Sequence, residues 1–302
     1  ALEAAGKTII PSPKILEIIQ DKGMQKLFFN HHGIPTANFE LADNPTQWAE
    51  KLSKLKGDKV AAKLRKGGYD GKGVELVNKN EVLEQYNKIP FDSPVVLEEF
   101  VNDAIELAVI VARNEKGEMC TFPTVEMEFD PKANLVEFLF SPADISEEIE
   151  ASAKRIAMEC IFKMQGIGIF AVEMFLDKQG KIYVNEIAPR PHNSGHHTIE
   201  ACYTSQYEQL NRILLGMPLG DTGLINSAAM INLLGAEGVN GEYEITGLDK
   251  ILSLSGVYVH LYNKTVTKPK RKMGHITIID KDLSTVREKA EIVKKNLGMK
   301  QL

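Results

Sequence analysis

The chain has 302 residues, 43% hydrophobic and 25% charged, ordinary values for a globular protein with room for two or three lobes. Its 36 Lys and Arg against 41 Asp and Glu leave a formal charge of −5, which argues against a nucleic-acid groove or a polybasic membrane surface. No apolar run approaches the roughly 20 residues of a membrane span, and Cys120, Cys160 and Cys202 read as reduced cytosolic thiols rather than staples or a zinc knuckle.

Ser12 followed by Pro13 predicts a helix start, and Ile15, Ile18, Ile19, Leu27 and Phe28 keep helical spacing until Gly33 and Pro35 end the run. A second helix is expected after Asn44-Pro45, with Trp48, Leu52 and Leu55 as its apolar face. The period then changes: 60–64 reads as a strand and 74–77 as its return. Two more strands follow at 94–101 and 105–112. Residues 146–165 predict a helix that puts Ile149, Ala153, Ile156, Cys160 and Met164 on one face. Strands at 168–176 and 181–187 are joined by Asp177-Lys178-Gln179-Gly180. The stretch 221–240 reads as a connection to a strand-rich segment, 256–279, and a terminal helix, 282–297. Hairpins outnumber β-α-β crossovers, which predicts a mixed α+β fold.

Three constellations carry chemistry. In Lys63-Leu64-Arg65-Lys66-Gly67-Gly68-Tyr69-Asp70-Gly71-Lys72-Gly73, four glycines leave backbone amides unscreened, and four cations surround them. Such a loop can close over a polyphosphate while Lys63 reaches in from the strand. It lacks the Gly-Lys-Ser/Thr ending of a Walker A loop, and a hairpin tip with solvated charges is the alternative. The second is a carboxylate pair. With Gln179-Gly180 as a two-residue turn, Glu173 faces Glu186 across neighbouring strands, a repulsion that a magnesium ion between them would remove. A solvated pair at a sheet edge is the other reading.

The third is the polar run 185–197. There Arg190 could hold an anion by a bidentate fork and His192 could donate to an oxyanion. A zinc site at His192 and His196 lacks a third ligand. A weaker stretch, 264–275, has five Lys or Arg in twelve residues and would suit a sugar phosphate if it is more than a charged hairpin.

The lysine strand with its glycine-rich loop, the Leu-Glu-Glu-Phe-Val segment and the carboxylates ending in Asn-Glu resemble the ATP-grasp ligases. Gly-Gly-Tyr-Asp-Gly-Lys-Gly, Asn-Glu-Ile-Ala-Pro-Arg-Pro-His-Asn-Ser-Gly-His and Arg-Lys-Met-Gly-His resemble the 5-(carboxyamino)imidazole ribonucleotide synthetase family over essentially the whole chain. The resemblance implies an ATP-grasp fold, two α+β lobes sandwiching ATP, with a small β-rich C-terminal domain. Residues 12–102 would be the small lobe with its glycine-rich loop at 65–74, residues 103–220 the large lobe with the metal site, and 221–302 the C-terminal domain. Residues 1–11 would be the tail of a Rossmann-like N-terminal domain.

It further implies carboxylation of 5-aminoimidazole ribonucleotide by bicarbonate and ATP through carboxyphosphate, in a cytoplasmic homodimer using Mg²⁺. By the same resemblance Lys22, Lys63, Gly68, Tyr69, Asp70, Gly71, Lys72, Gly73 and Val74 would bind ATP. So would Glu98, Glu99, Phe100 and Val101 around adenine, Glu106 at the ribose, and Asn185 with Glu186. Glu173 and Glu186 would hold Mg²⁺. Tyr69, Asp70 and Lys72 would face the ribonucleotide, and Lys264 and Arg271 would hold its 5′-phosphate. Arg190 and His192 would line the bicarbonate and carboxyphosphate pocket, and with Lys72 they would be the catalytic residues. Lys72 stands where many members have Arg, and the segment Phe122 to Phe129 lacks a His that relatives carry. Another ATP-grasp ligase, or an ATP-binding module without turnover, are the rival readings.

Overall fold

Asp21 decides how the chain begins. The predicted long helix is two helices, α1 (Pro13–Ile19) and α2 (Lys22–His31), because the extended Asp21 between them accepts from the amides of Gly23 at 2.9 Å and Met24 at 3.2 Å. A short acid that satisfies two orphan amides starts a new helix rather than continuing the old one. The computed structural model describes residues 3–68, 73–85, 88–130 and 135–302.

The small lobe is a four-stranded antiparallel sheet of β1 (Phe39–Ala42), β2 (Lys59–Leu64), β3 (Val74–Asn78) and β4 (Val95–Glu99), in the order β1-β4-β2-β3. Helices α3 (Trp48–Ser53) and α4 (Lys79–Glu84) cover one face, and Trp48 and Leu52 are fully buried there. The strand expected to reach residue 101 stops at Glu99, so Phe100 and Val101 lie in the turn between lobes.

The second sheet has nine strands, built from β5 (Ile105–Arg113), β6 (Met119–Thr121), β7 (Val125–Asp130), β8 (Leu135–Ser141), β9 (Gly168–Leu176), β10 (Ile182–Ala188), β11 (Ser227–Leu234), β13 (Val257–Leu261) and β14 (Lys272–Asp280). Its order is β10-β9-β5-β7-β8-β11-β14-β13, with β6 beside β5. Side chains alternate between faces. Leu107, Val109, Val111, Val172 and Met174 go to one face, under α5 (Glu147–Met164), while Ala108, Val125, Met127, Leu139 and Met230 go to the other. Helix α6 (Thr198–Ala201) and helix α7 (Gln206–Leu214) follow β10, and α7 packs on β5 and β9.

Sequence patterning missed β6 to β8 and took β11 for part of a connection. Ser-Ala-Ala-Met-Ile-Asn-Leu-Leu shows no apolar/polar alternation because β11 lies between β8 and β14, with six of its eight residues buried. The chain closes with β12 (Tyr243–Thr246), α8 (Leu248–Leu252), α9 (Leu283–Asn296) and β15 (Gly298–Gln301), which pairs with β12. Ala290 and Val293 of α9 join Phe138, Phe140 and Ile276 in one core, so the large lobe and the 221–302 region share a single sheet and a common core. Among the described residues no helix is long and apolar enough to cross a membrane.

Candidate active site

The carboxylate pair forms by a different route from the one the turn suggested. The β9–β10 loop has three residues, with Gly180 at φ +79°, and Ile182, Tyr183 and Val184 pair one position off the two-residue register. A β-bulge at Asn185 then restores the register, and Glu186 pairs directly with Glu173. The bulge also turns the Asn185 side chain to accept from Lys63 Nζ at 2.8 Å. Burial, reinforced by the Glu186 and Glu106 charges, pushes the Glu173 carboxyl up to about 8. Burial opposes ionisation of Glu186 as well, but the ammonium of Lys22, ion-paired to it, holds its pKa below the ordinary carboxylate range.

Cations from β2 and α2 lie close by. Lys63 on β2 and Lys26 on α2 both pair with Glu98, which is 2% exposed. Burial would raise the Glu98 carboxyl; the two ammonium groups bring it below its usual range. Burial takes Lys26 down to about 8, against the attraction of Glu98. Lys26 also donates to Thr36 Oγ1 at 2.7 Å, and Thr36 in turn donates to the Val184 carbonyl of β10 at 2.8 Å, tying the lobes together. At the foot of the glycine-rich loop, Arg65 forks onto Asp21 at 3.0 and 2.9 Å. Gly73 sits at φ +76°, where a Cβ would come within 2.9 Å of Leu64 Cδ1.

Among the described residues, several cavities lie around this ionic cluster. The largest, about 670 Å³, is lined by Lys22, Gly68, Glu173, Glu186, Arg190, His192 and Lys272, with Phe129 in its wall. The second, about 420 Å³, opens between the lobes at Glu99, Phe100 and Val101, facing Tyr183 and Lys178. Glu106 lines a third, of about 600 Å³, with Glu126 and Arg287, and burial takes its carboxyl up to about 7. The structure thus brings together Lys22, Lys63, Glu98, Asn185, Glu173, Glu186 and His192, whose Nε2 lies 3.4 Å from Glu173 Oε1. Val74 pairs with Lys63 at the start of β3. Tyr69, Asp70, Gly71 and Lys72 lie outside the described residues.

Lys264 and Arg271 stand apart from these walls. Their side chains hold their own hairpin, Lys264 donating to the Lys272 carbonyl at 2.6 Å and Arg271 to the Val266 carbonyl at 2.7 Å. It is Lys272, two residues before the Gly-His of that motif, that reaches the large cavity. Lys26, Lys272 and Gln206 were all missed. A lysine four residues after Lys22 on a helix was the only visible signal for Lys26, since i and i+4 share a face. His196, which the disfavoured zinc reading paired with His192, stacks on His275 at 4.7 Å, and His275 stacks on His260 at 4.4 Å. Burial first, then the charges of His192, Lys272, His197 and His260, takes the pKa of His196 down to about 4; burial, then His196 and His260, takes that of His275 to about 3.

The residues fit a divalent cation. Two facing carboxylates, one of them pushed up to about 8 by burial and by the negative charge of its neighbours, are a hard oxygen donor set that phosphate oxygens would complete. Residues 27–207 match the ATP-grasp domain family, and residues 228–289 match the phosphoribosylaminoimidazole carboxylase C-terminal domain. A phosphoribosylaminoimidazole carboxylase from Ogataea methanolica is 36% identical over 93% of the chain, which spans about half (52%) of that relative's length. The crystal structure of N5-carboxyaminoimidazole ribonucleotide synthetase from Thermotoga maritima superposes with a TM-score of 0.88 at 44% identity, covering 100% of this chain and 78% of that one. An Aspergillus clavatus N5-carboxyaminoimidazole synthase, solved in complex with ADP and 5-aminoimidazole ribonucleotide, superposes with a TM-score of 0.86 at 29% identity, covering 97% of this chain and 77% of that one. The chain belongs to the N5-carboxyaminoimidazole ribonucleotide synthase family of ATP-grasp enzymes.

Proposed function

We propose that the chain carboxylates 5-aminoimidazole ribonucleotide with bicarbonate at the expense of ATP, giving N5-carboxyaminoimidazole ribonucleotide, ADP and phosphate. The observation that carries this reading is the large cavity in which the Glu173–Glu186 pair, Arg190, His192 and Lys272 converge beside the glycine-rich loop. A bicarbonate oxygen attacks the γ-phosphorus of ATP and ADP leaves, giving carboxyphosphate. The exocyclic amine of the ribonucleotide then forms a bond to the carboxyl carbon, losing a proton as phosphate departs.

Glu173 and Glu186 would hold Mg²⁺, which supplies charge neutralisation along the phosphates when bound. Lys63 and Lys22 lie where they can meet the polyphosphate, and Glu99, Phe100 and Val101 border the cavity suited to the base. Glu106 would accept from the ribose. Arg190 and His192 would stabilise the carboxyphosphate oxygens, and Lys272, with Lys264 and Arg271 on the same hairpin, would serve the ribonucleotide phosphate. Catalysis is then positioning and charge stabilisation. A cytosolic homodimer fits the free thiols and the exposed apolar side chains of Tyr203, Leu214, Leu215 and Met217 around α7.

The test is phosphate release from Mg-ATP by this chain with and without the ribonucleotide and bicarbonate, with the carboxylated product identified. Release should require the ribonucleotide. Glu173→Gln should lower turnover at least about 100-fold while ADP affinity in calorimetry falls less than about fivefold, because the carboxylate acts on developing charge. Undiminished turnover in Glu173→Gln would remove the metal assignment; release indifferent to the ribonucleotide would favour an ATP-binding module or a ligase of another acceptor.

A further inference from the structure

The loop that carries His192 has an unusual holding problem. β10 ends at Ala188, and the next residues are Pro189, Arg190 and Pro191, two of which have no amide hydrogen to donate. His192 therefore lies past the end of the strand, and its imidazole sits against Glu173. The partner comes from α7. Gln206, fully buried in the first turn of that helix, accepts from the His192 amide through Oε1 at 2.8 Å and donates from Nε2 to the His192 carbonyl at 2.9 Å. A side-chain amide thus makes on one residue the two bonds that a neighbouring strand would make.

The clamp is itself held. The Gln206 amide donates to Thr198 Oγ1 at 2.9 Å, and that hydroxyl donates to the Gly195 carbonyl at 2.6 Å. A second contact of Gln206 Nε2 reaches His196 Nδ1 at 3.2 Å. A Cβ at Gly195 would fall 2.5 Å from Gln206 Oε1 and 2.5 Å from Ile110 Cδ1, so a larger residue there would displace the Gln206 side chain. The ring end of His192 is fixed separately, with Nδ1 2.9 Å from Ser194 Oγ and Nε2 3.4 Å from Glu173 Oε1. Backbone and ring are both pinned: the Gly195 amide also donates to the His192 carbonyl at 3.0 Å, and Gln206 supplies the bond to the His192 amide from α7.

We propose that Gln206 is a positioning residue for the carboxylation step, its amide standing in for a strand partner so that His192 faces the Glu173–Glu186 pair. The proposal rests on the reading of the large cavity as the reaction site. A glutamine that merely filled a polar hole would affect stability alone; a clamp on His192 affects chemistry through His192.

The experiment uses the full chain carrying Gln206→Met, Gln206→Glu, His192→Ala, and Gln206→Met with His192→Ala. A displacement on the order of 1 Å at a catalytic group costs about 100-fold, so Gln206→Met is expected to lower kcat by about 30- to 100-fold with KM for ATP within about twofold. In the His192→Ala background the same substitution should cost less than about threefold, since residues acting as a unit are not additive. Gln206→Glu should lose activity at pH 8 and recover part of it on acidification, as the neutral acid regains a donor for the His192 carbonyl. Full additivity in the double variant, or a wild-type pH profile in Gln206→Glu, would overturn the proposal. Unchanged turnover in His192→Ala would instead bring down the site reading, and the positioning role with it. Faster amide exchange at His192 in Gln206→Met would then still mark the clamp as a feature of the fold.

Discussion

Asp21 shows how one side chain can serve structure and site together. Its carboxylate caps α2, receives both arms of Arg65, and thereby fixes the first helical residue, Lys22, whose ammonium pairs with Glu186. Burial works against its ionisation, yet Arg65 and the amides of Met24 and Gly23 hold the carboxyl below its usual range. Asp21→Ala removes a cap worth about 1 kcal/mol and charge-assisted bonds of about 1.5–3 kcal/mol. It should therefore lower unfolding free energy by roughly 2–4 kcal/mol, measured by urea titration, and raise KM for ATP severalfold as Lys22 loses its fixed place. A stability loss with KM unmoved would separate the cap from the nucleotide site.

Residue chemistry was the most legible layer of the sequence. Lys63, Glu173 and Glu186 stood out because a lysine among apolar strand residues and two opposed carboxylates have few structural uses. Lys26 and Lys272 did not, because a cation's role depends on which anion or cavity the fold brings to it. Gln206 gave no signal at all. Its function is a pair of hydrogen bonds to a backbone fourteen residues away, and nothing in local pattern marks a glutamine for that.

Among the elements, the hairpin β9–β10 repeats this lesson. The loop length was misread by one residue and the bulge at Asn185 was invisible, yet the two displacements cancel at Glu173 and Glu186. Bulges arise where a side chain must be re-aimed, and Asn185 meets Lys63 because of this one. The loop 192–197 and the hairpin β13–β14 meet in a different way, through the stacked rings of His196, His275 and His260. Tyr207 and Gln206 bond His196, Tyr262 bonds His275, and Glu200 bonds His260.

That stack predicts acid lability. Burial opposes protonation of His196, His197 and His275 alike, and the charges of His192, Lys272, His197 and His260 add to it at His196, so all three pKa values lie below the unfolded value near 6.5. Between about pH 6.5 and 4 the unfolded chain takes up protons that the folded one refuses, so stability is present above pH 6.5 and falls as pH drops through that window. One such histidine accounts for about 2 kcal/mol between pH 6.5 and 4.5. Urea titrations across this range should show a shallower acid decline in His275→Phe, which keeps a stacked ring without a titrating nitrogen. An identical decline would place the lability in carboxylates elsewhere.

For the molecule as a whole, the decisive feature is that the nine-stranded sheet does not stop at residue 220, where the family resemblance implies a new domain. β8 pairs with β11 from Phe138↔Ile231 to Ser141↔Ala228, and Phe138 and Phe140 pack under α9. Arg287 of α9 reaches back to pair with Glu126 and Glu128 of β7, its guanidinium 3.9 Å from the centre of the Phe140 ring. The 221–302 region therefore completes the sheet of the large lobe, and the Lys272 that lines the large cavity is delivered by a strand of that same sheet. A chain ending at residue 220 would expose the hydrogen-bonding edge of β8 together with two phenylalanines, the arrangement that recruits other strand edges. Light scattering after size exclusion should find it aggregated, while the full chain unfolds across residues 103–302 in one cooperative step by hydrogen exchange. A monomeric, fully protected 1–220 fragment would show instead that the 221–302 region is a separable module, and that Lys272 reaches the site by docking rather than by continuity of the sheet.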